Sequence, residues 1–165
     1  TAAAWGDWRG DFLPEVVTSP PARLTKTIQS LTKAGADFLV IDTPPHADAA
    51  AREAVKAADL VLIPTRLRAF DLHAIEATAE MVAFAKKPAF VLLNAVPARA
   101  TRQIAEAVAA IEAHGLAICP VQFGERAAFH QASAQGEVAA EVNAETKAAG
   151  EVDALWQWLC AQLES

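Results

Sequence analysis

A carboxylate stands at the end of a short, wholly apolar run in the first third of the chain. Residues 38–41 read Phe-Leu-Val-Ile, Asp42 follows them, and Thr43, Pro44 and Pro45 come next. An uninterrupted apolar run is typical of a parallel strand buried on both faces, and the two prolines stop such a strand. Ligands of open parallel sheets bind beyond the carboxyl ends of the strands, so Asp42 is predicted to lie where a nucleotide–metal site would form.

The chemistry that this carboxylate could supply is magnesium binding, directly or through a water. Mg²⁺ prefers oxygen ligands and keeps several waters, so one or two carboxylates together with phosphate oxygens suffice. The stiff loop Thr43-Pro44-Pro45 could then respond to a terminal phosphate. The alternative is structural, because an aspartate also caps a strand end before a proline stop. Taken alone, the motif leaves both interpretations open.

A second polar candidate ends another apolar run. Asn94 follows residues 90–93, and its side-chain amide could pair with the donor and acceptor groups of a purine. Alternatively, Asn94 supports the turn before Pro97. Arginines follow the strand candidates as well, and a guanidinium can bind phosphate through two hydrogen bonds or lie in solvent at a helix start. They are Arg66, Arg68, Arg99, Arg102 and Arg126.

The elements that must position these residues follow from hydrophobic periodicity. Short apolar runs predict strands, and residues repeating at helical spacing predict the helices between them. This alternation indicates βαβ units, and therefore an α/β fold with a mostly parallel sheet between two helical layers. The predicted strands are 15–19, 38–41, 60–63, 90–93 and 116–121, and the predicted helices are 23–33, 48–58, 72–82, 104–111 and 152–163, with 125–142 helical in parts.

Composition limits the classes of function. The 165 residues are expected to form a single domain, 1–165, and the net charge of −6 gives no global attraction to nucleic acid or anionic lipid. Cys119 and Cys160 lack the spacing of metal ligands, so we expect two reduced, buried thiols. No run approaches the length of a membrane span and no signal peptide is visible, which predicts a cytoplasmic protein without a membrane partner. A dehydrogenase is disfavoured because no glycine fingerprint occurs.

In their order and spacing, these runs resemble the ParA/MinD ATPases, the deviant Walker A class. The similarity covers essentially the whole chain, and it is greatest to the short ParA proteins of plasmid and chromosome partition. It rests on residues 38–45 (Walker B and switch II), 58–64 (the following strand), 70–72 (the next helix start), 92–94 (the strand whose Asn meets adenine) and 122–129 with 136–138 (the C-terminal pattern).

The resemblance implies a P-loop NTPase-like fold that binds ATP or ADP with Mg²⁺. By this resemblance Asp42 is the catalytic residue and holds the Mg²⁺ through its water shell, and residues 43–45 report the γ-phosphate. Asn94 and the backbone near Val121 and Gln122 would surround the adenine. The family further implies an ATP-dependent homodimer, nonspecific DNA binding at the nucleoid, and a ParB-like activator of hydrolysis. DNA binding would require Arg66, Arg68, Arg99 and Arg102 to gather into a patch.

The sequence departs from the family at one point, since it contains no deviant Walker A loop and none of that loop's lysines. Those elements precede the residues that Thr1 to Trp5 resemble. We therefore expect the C-terminal part of a ParA-like nucleotide-binding domain without its N-terminal strand, loop and helix. The intact protein would hydrolyse ATP, and the 165 residues alone would bind it poorly or not at all.

Two other functions stay open. One is a non-catalytic ParA-like module for protein interaction or DNA tethering that never had the phosphate loop. The other is a MinD-like positioning ATPase, which the C-terminal helix disfavours because its apolar residues face no basic stripe of the membrane-binding kind. The coding sequence immediately upstream of Thr1 separates the module from the ATPase, since only the ATPase requires a glycine-rich loop with lysine there.

Overall fold

The computed structural model describes residues 2–44 and 48–164. Three parallel strands form one sheet in the order β1-β2-β3, and helices connect them. The strands are β1 (Val61–Thr65), β2 (Ala89–Val96) and β3 (Ala117–Gly124). The helices are α1 (Ala2–Arg9), α2 (Leu24–Lys33), α3 (Asp48–Ala57), α4 (Ala69–Ala85), α5 (Thr101–Ala113), α6 (Ala127–Ser133), α7 (Ala139–Val142) and α8 (Lys147–Leu163), and a 3₁₀ turn (Pro21–Arg23) precedes α2.

The central strand β2 separates two cores on opposite faces of the sheet. Val91 and Leu93 point into a core that contains residues of α4 and α5, such as Ile75 and Ile111. Leu92 points the other way, into a core that contains Leu155 of α8. Because successive side chains of a strand face opposite sides, a strand buried on both faces must be apolar throughout. The predicted α/β fold with a sheet between two helical layers is confirmed.

Most predicted elements are present close to their predicted bounds. The apolar runs 60–63, 90–93 and 116–121 became β1, β2 and β3. The helical stripes became α2, α3, α4, α5 and α8, and residues 125–142 contain the short helices α6 and α7. Of the two cysteines, both free thiols, Cys119 is buried as expected while Cys160 is only half-buried. No helix in the described part of the chain is long and apolar enough to cross a membrane.

Two predicted strands are wrong. Residues 38–41 are not in a strand, and Val40 is 94% exposed. A parallel strand exists only when a neighbour supplies its hydrogen bonds, and β1 pairs with β2 alone among the described residues. Phe38 instead packs its ring edge-on against Trp156 of α8, with ring centroids 4.7 Å apart. Residues 15–19 are likewise not in a strand, and Val16 packs closely against Gly6 of α1.

A buried arginine ties the first helix to the C-terminal part of the chain. Arg9 donates two hydrogen bonds to the carboxylate of Glu141, at 2.8 and 2.6 Å, and a third to the carbonyl of Gly136 at 2.9 Å. Its guanidinium also lies 4.9 Å from the centre of the Trp5 ring. The Arg9 side chain is only 7% exposed, so these contacts satisfy a charge that would be costly to bury alone.

The segment before α7 approaches α1 so closely that only glycine fits. Gly136 has φ +71°, in the left-handed region that favours glycine. A Cβ atom there would lie 2.7 Å from the backbone nitrogen of Arg9 and from the carbonyl carbon of Trp8. Gly115, which follows α5, has nearly the same φ of +72° but has open space where a Cβ would be.

These two glycines form a matched pair for a stability test. Gly115→Ala should lower the free energy of unfolding by about 1–2 kcal/mol, the cost of a left-handed alanine. Gly136→Ala should lower the free energy of unfolding by roughly 1–3 kcal/mol more than Gly115→Ala does, because its Cβ also forces α1 and the 136–141 segment apart. Urea denaturation followed by circular dichroism measures both, and equal losses would contradict the close contact.

The Arg9–Glu141 pair also predicts a dependence of stability on pH. The hydrogen bonds from Arg9 and from the backbone N–H of Val138 lower the pKa of Glu141 from 4.5 to about 2. A carboxyl whose pKa is lower in the folded state stabilises the fold fully above its unfolded value, and that contribution is lost as the pH falls. Glu141→Gln should therefore destabilise the protein at pH 7, and the difference from the unsubstituted protein should shrink between pH 4.5 and about 2.

The control is Glu53→Gln, because Glu53 forms an exposed pair with Lys56 three residues along α3. Exposed pairs contribute little, so this variant should match the unsubstituted protein at every pH. A Glu141→Gln difference that stayed constant down to pH 2 would show that the ion pair is not the cause.

Candidate functional site

The three strands end together and form one polar edge of the sheet. All are parallel, so the chain leaves β1, β2 and β3 at the same edge. A cleft of about 420 Å³ lies there, between the end of β1, the start of α4 and the end of β2. It is lined by Ile63, Pro64, Thr65, Arg66, Arg68, Asp71, Ala74, Ile75, Thr78 and Asn94.

Asn94 enters this cleft with its amide orientation defined by the backbone. Its Oδ1 accepts a hydrogen bond from the N–H of Ala95 at 2.8 Å. Because that N–H can only donate, the atom facing it must be the oxygen, and the NH₂ group points elsewhere. Ala95 has φ +50°, a left-handed conformation that costs about 1–2 kcal/mol for an alanine. Such strain is concentrated at functional sites.

Gln122 and Val121 lie on the neighbouring strand. Gln122 is paired with Leu93, so it stands one position from Asn94 across the β2–β3 ladder. Val121 packs on the α8 face of the sheet, against the core of Leu92 and Cys119. Burial raises the pKa of the Cys119 thiol, so this residue is a structural apolar group there. The structure thus places Gln122 on the strand next to that of Asn94, outside the residues that line the cleft.

An ion pair that sequence reasoning missed holds the end of β3. Arg126, at the start of α6, donates from Nε to both carboxylate oxygens of Glu151 at 3.0 Å and also bonds it through Nη2. The same carboxylate accepts the backbone N–H of Gly124, the last residue of β3, at 3.2 Å. Burial alone would raise the pKa of Glu151, but these bonds and the charges of Arg126 and Lys147 outweigh it and lower the pKa. Of the two residues in this ion pair, the sequence made only Arg126 a candidate, as an arginine at a predicted helix start.

Asp42 does not line the cleft. Its side chain is exposed, and its Oδ2 accepts a hydrogen bond from the backbone N–H of Ala2, at the start of α1, at 3.1 Å. Thr43 is half-buried and Pro44 is exposed, while Pro45 lies outside the described residues. The structure therefore places this predicted group on an unpaired segment, apart from the residues that line the cleft.

The four predicted DNA-binding arginines lie on two connections at the polar edge. Arg66 and Arg68 line the cleft itself, between β1 and α4. Arg99 is exposed on the connection after β2, and Arg102 lies in the first turn of α5. Arg102 donates to Glu106 at 2.8 Å, which offsets part of its charge. Arg66 and Arg68 thus line the same cleft as Asn94.

Comparison with solved structures shows the class of fold. The MinD cell division protein of Aquifex aeolicus superposes with a TM-score of 0.71 at 15% identity, over 86% of this chain and 61% of that one. The Pyrococcus furiosus cell division ATPase MinD superposes with a TM-score of 0.67 at 22% identity, over 89% of this chain and 65% of that one. The chain thus has a MinD-like, P-loop NTPase-type α/β fold and spans less than two thirds of either protein's length.

Sequence comparison points the same way. The profile of an AAA domain family matches residues 13–94, just under half of the chain, which include Asp42, β1 and Asn94. No curated protein matches the sequence. The profile match and the MinD-like fold are both consistent with the resemblance found in the sequence.

Proposed function

We propose that this chain is the C-terminal part of the nucleotide-binding domain of a ParA-like partition ATPase. The protein would bind ATP, dimerise, hold DNA nonspecifically and segregate a plasmid or chromosome. The observation that carries the proposal is the polar edge of the sheet, where Asn94 lines a cleft and the neighbouring strand β3 ends at the same edge. In open parallel sheets that edge is the ligand site, and the Asn94 amide supplies donor and acceptor groups that a purine base requires.

The base side of the proposed site is the part that would hold the adenine ring, and it contains a side chain whose orientation the backbone fixes. The backbone of Ala95 holds Oδ1 of Asn94, so its NH₂ is the group available to a ring nitrogen of adenine. Oδ1 keeps a second lone pair, which could accept from the exocyclic amine. Gln122 is exposed on the next strand, and Val121 beside it supplies an apolar wall. These three residues match the adenine surround that the family resemblance implies.

The part of the proposed site that would bind Mg²⁺ contains one carboxylate, that of Asp42. Among residues 2–44 and 48–164 no group of three or more His, Cys, Asp or Glu side chains could enclose a metal ion. Asp42 is exposed and uses one oxygen for the N–H of Ala2, so the other oxygen is available to a water of a hydrated cation. Bound Mg²⁺ would neutralise charge on the transferring phosphoryl group. We propose that Asp42 orients that hydration shell while residues 43–45 contact the terminal phosphate.

A MinD-like positioning ATPase is the second candidate, because both solved structures described above are MinD proteins. The partition function is favoured by the motif resemblance and by α8, whose only basic residue is Lys147, at its first position. Membrane-surface helices of the amphipathic kind carry several basic residues along one face. Binding to anionic vesicles rather than to DNA would favour the MinD-like function.

Two substitutions in the complete gene product test the ATPase proposal. Asp42→Ala should reduce Mg²⁺-dependent ATP turnover at least about 100-fold, because the metal loses its protein-side acceptor. Asn94→Ala should chiefly raise the KM for ATP, by roughly tenfold, because it removes base contacts that are the same in ground and transition states. Steady-state phosphate release measures both.

Glu53→Gln is the control for these variants, since Glu53 lies exposed on α3 and forms only a surface pair. Turnover by Asp42→Ala close to that of the unsubstituted protein refutes the magnesium role. An unchanged KM in Asn94→Ala refutes the base contact.

DNA binding is tested by its dependence on salt. The net charge of −6 means that attraction must come from a local patch, for which Arg66, Arg68, Arg99 and Arg102 are the proposed members. Affinity for nonspecific duplex should fall steeply with salt, and each arginine that contacts a phosphate should account for about one unit of the log–log slope. Arg99→Ala should flatten the slope by that amount in fluorescence anisotropy with ATP present. A salt-independent affinity contradicts the proposal.

A further inference from the structure

Glu151 of α8 forms a junction between three elements near the proposed base site. Its carboxylate accepts from the N–H of Gly124 at the end of β3 and from the guanidinium of Arg126 at the start of α6. The Glu151 side chain is 19% exposed and that of Arg126 is 32% exposed, so both are largely withdrawn from solvent. Charged hydrogen bonds in such surroundings are strong and directional.

The junction fixes where the chain leaves β3. Gly124 is paired with Val96 at the end of β2, and the next N–H, that of Glu125, donates to the Val96 carbonyl at 2.9 Å. The guanidinium of Arg126 lies over Gly124, where a Cβ would be only 2.9 Å from its Nη2. The ends of β2 and β3 are therefore held from one side by backbone pairing and from the other by the Glu151 carboxylate.

The adjoining aromatic contact holds the following helix to the same place. Phe123 stacks on Phe129 of α6, with ring centroids 5.4 Å apart. Phe123 therefore extends the junction from the backbone of β3 to the body of α6. Gln122 lies two residues before Gly124, so its backbone belongs to the strand end that this junction holds.

We infer that Arg126 and Glu151 are positioning residues that set the base side of the nucleotide site through Gly124 and Gln122. The inference rests on the proposed function, since it assigns the ion pair a role in base recognition. Neither residue lines the cleft. The pair acts on the backbone of β3 near Gln122, and the phosphate side of the site is independent of it.

The test compares a ligand that has a base with one that has none, in the complete gene product. Glu151→Gln keeps the shape of the side chain but removes the charge that binds Arg126. It should raise the Kd for ATP roughly tenfold and leave the Kd for inorganic tripolyphosphate unchanged, because only ATP uses the base side. Isothermal titration calorimetry measures both constants. Arg126→Lys, which keeps the charge without the two-point geometry, should show the same selective loss and serves if Glu151→Gln does not fold.

The matched control is Glu141→Gln, which removes the other two-point Arg–Glu pair, between α1 and α7. It should lower stability and leave both dissociation constants unchanged. An unchanged Kd for ATP in Glu151→Gln overturns the inference, and so does an equal weakening of both ligands, which indicates general loosening. If the unsubstituted protein binds neither ligand, the proposed function itself is wrong, and the inference falls with it.

Discussion

The hydrogen-bond ladder on both edges of β2 is the constraint on which the rest of the structure depends. Among the described residues, only this strand is paired on two sides, with β1 and with β3. Its parallel neighbours force every connection to return through a helix, so helices cover both faces. The same parallel arrangement collects three chain exits at one edge. A cleft with polar walls at that edge is thus a consequence of topology, and the side chains at the strand ends decide what it binds.

Two arginine–carboxylate pairs connect the helices to one another and to this sheet. Arg9 and Glu141 join α1 to α7, and Arg126 and Glu151 join the end of β3 to α8. Each carboxylate also accepts a backbone N–H, from Val138 and Gly124 respectively. Every buried side-chain nitrogen and oxygen of the described residues has a partner. A half-satisfied ion pair would be costly, so these backbone donors contribute to making the burial of charge tolerable.

The sheet and its helices could be predicted because burial and periodicity are local properties of sequence. The runs 60–63, 90–93 and 116–121 are apolar because both of their faces are covered, and that signal needs no knowledge of neighbours. The run 38–41 carries the same signal and failed, because no strand among the described residues pairs with it and three of its four side chains are exposed. Its apolar side chains are only partly covered. Phe38, for example, packs against the ring of Trp156, which lies more than 100 residues away in the sequence.

The elements that carry the candidate residues were predictable, and the contacts of those residues were less so. Asn94 and Gln122 lie near the ends of β2 and β3, and the parallel pairing of these strands follows from the βαβ pattern. The inclusion of Arg66 and Arg68 in the same cleft depends on how the β1–α4 connection turns, and alternating charged and apolar residues do not encode that path. The Glu141 contact of Arg9 spans 132 residues, and the Glu151 contact of Arg126 spans 25. No spacing rule covers such pairs, because they belong to tertiary packing.

The two sides of the proposed site differ in how firmly the described residues hold them. On the base side, Asn94 and Gln122 lie on paired strands above a core in which Val91 is fully buried. On the Asp42 side, the polypeptide has no ladder, and the carboxylate is held by one backbone N–H. Segments with few buried contacts open at lower free energy than core strands. In the proposed site, the base would therefore meet a rigid wall, while the segment that carries Asp42 would adjust when phosphate and metal bind.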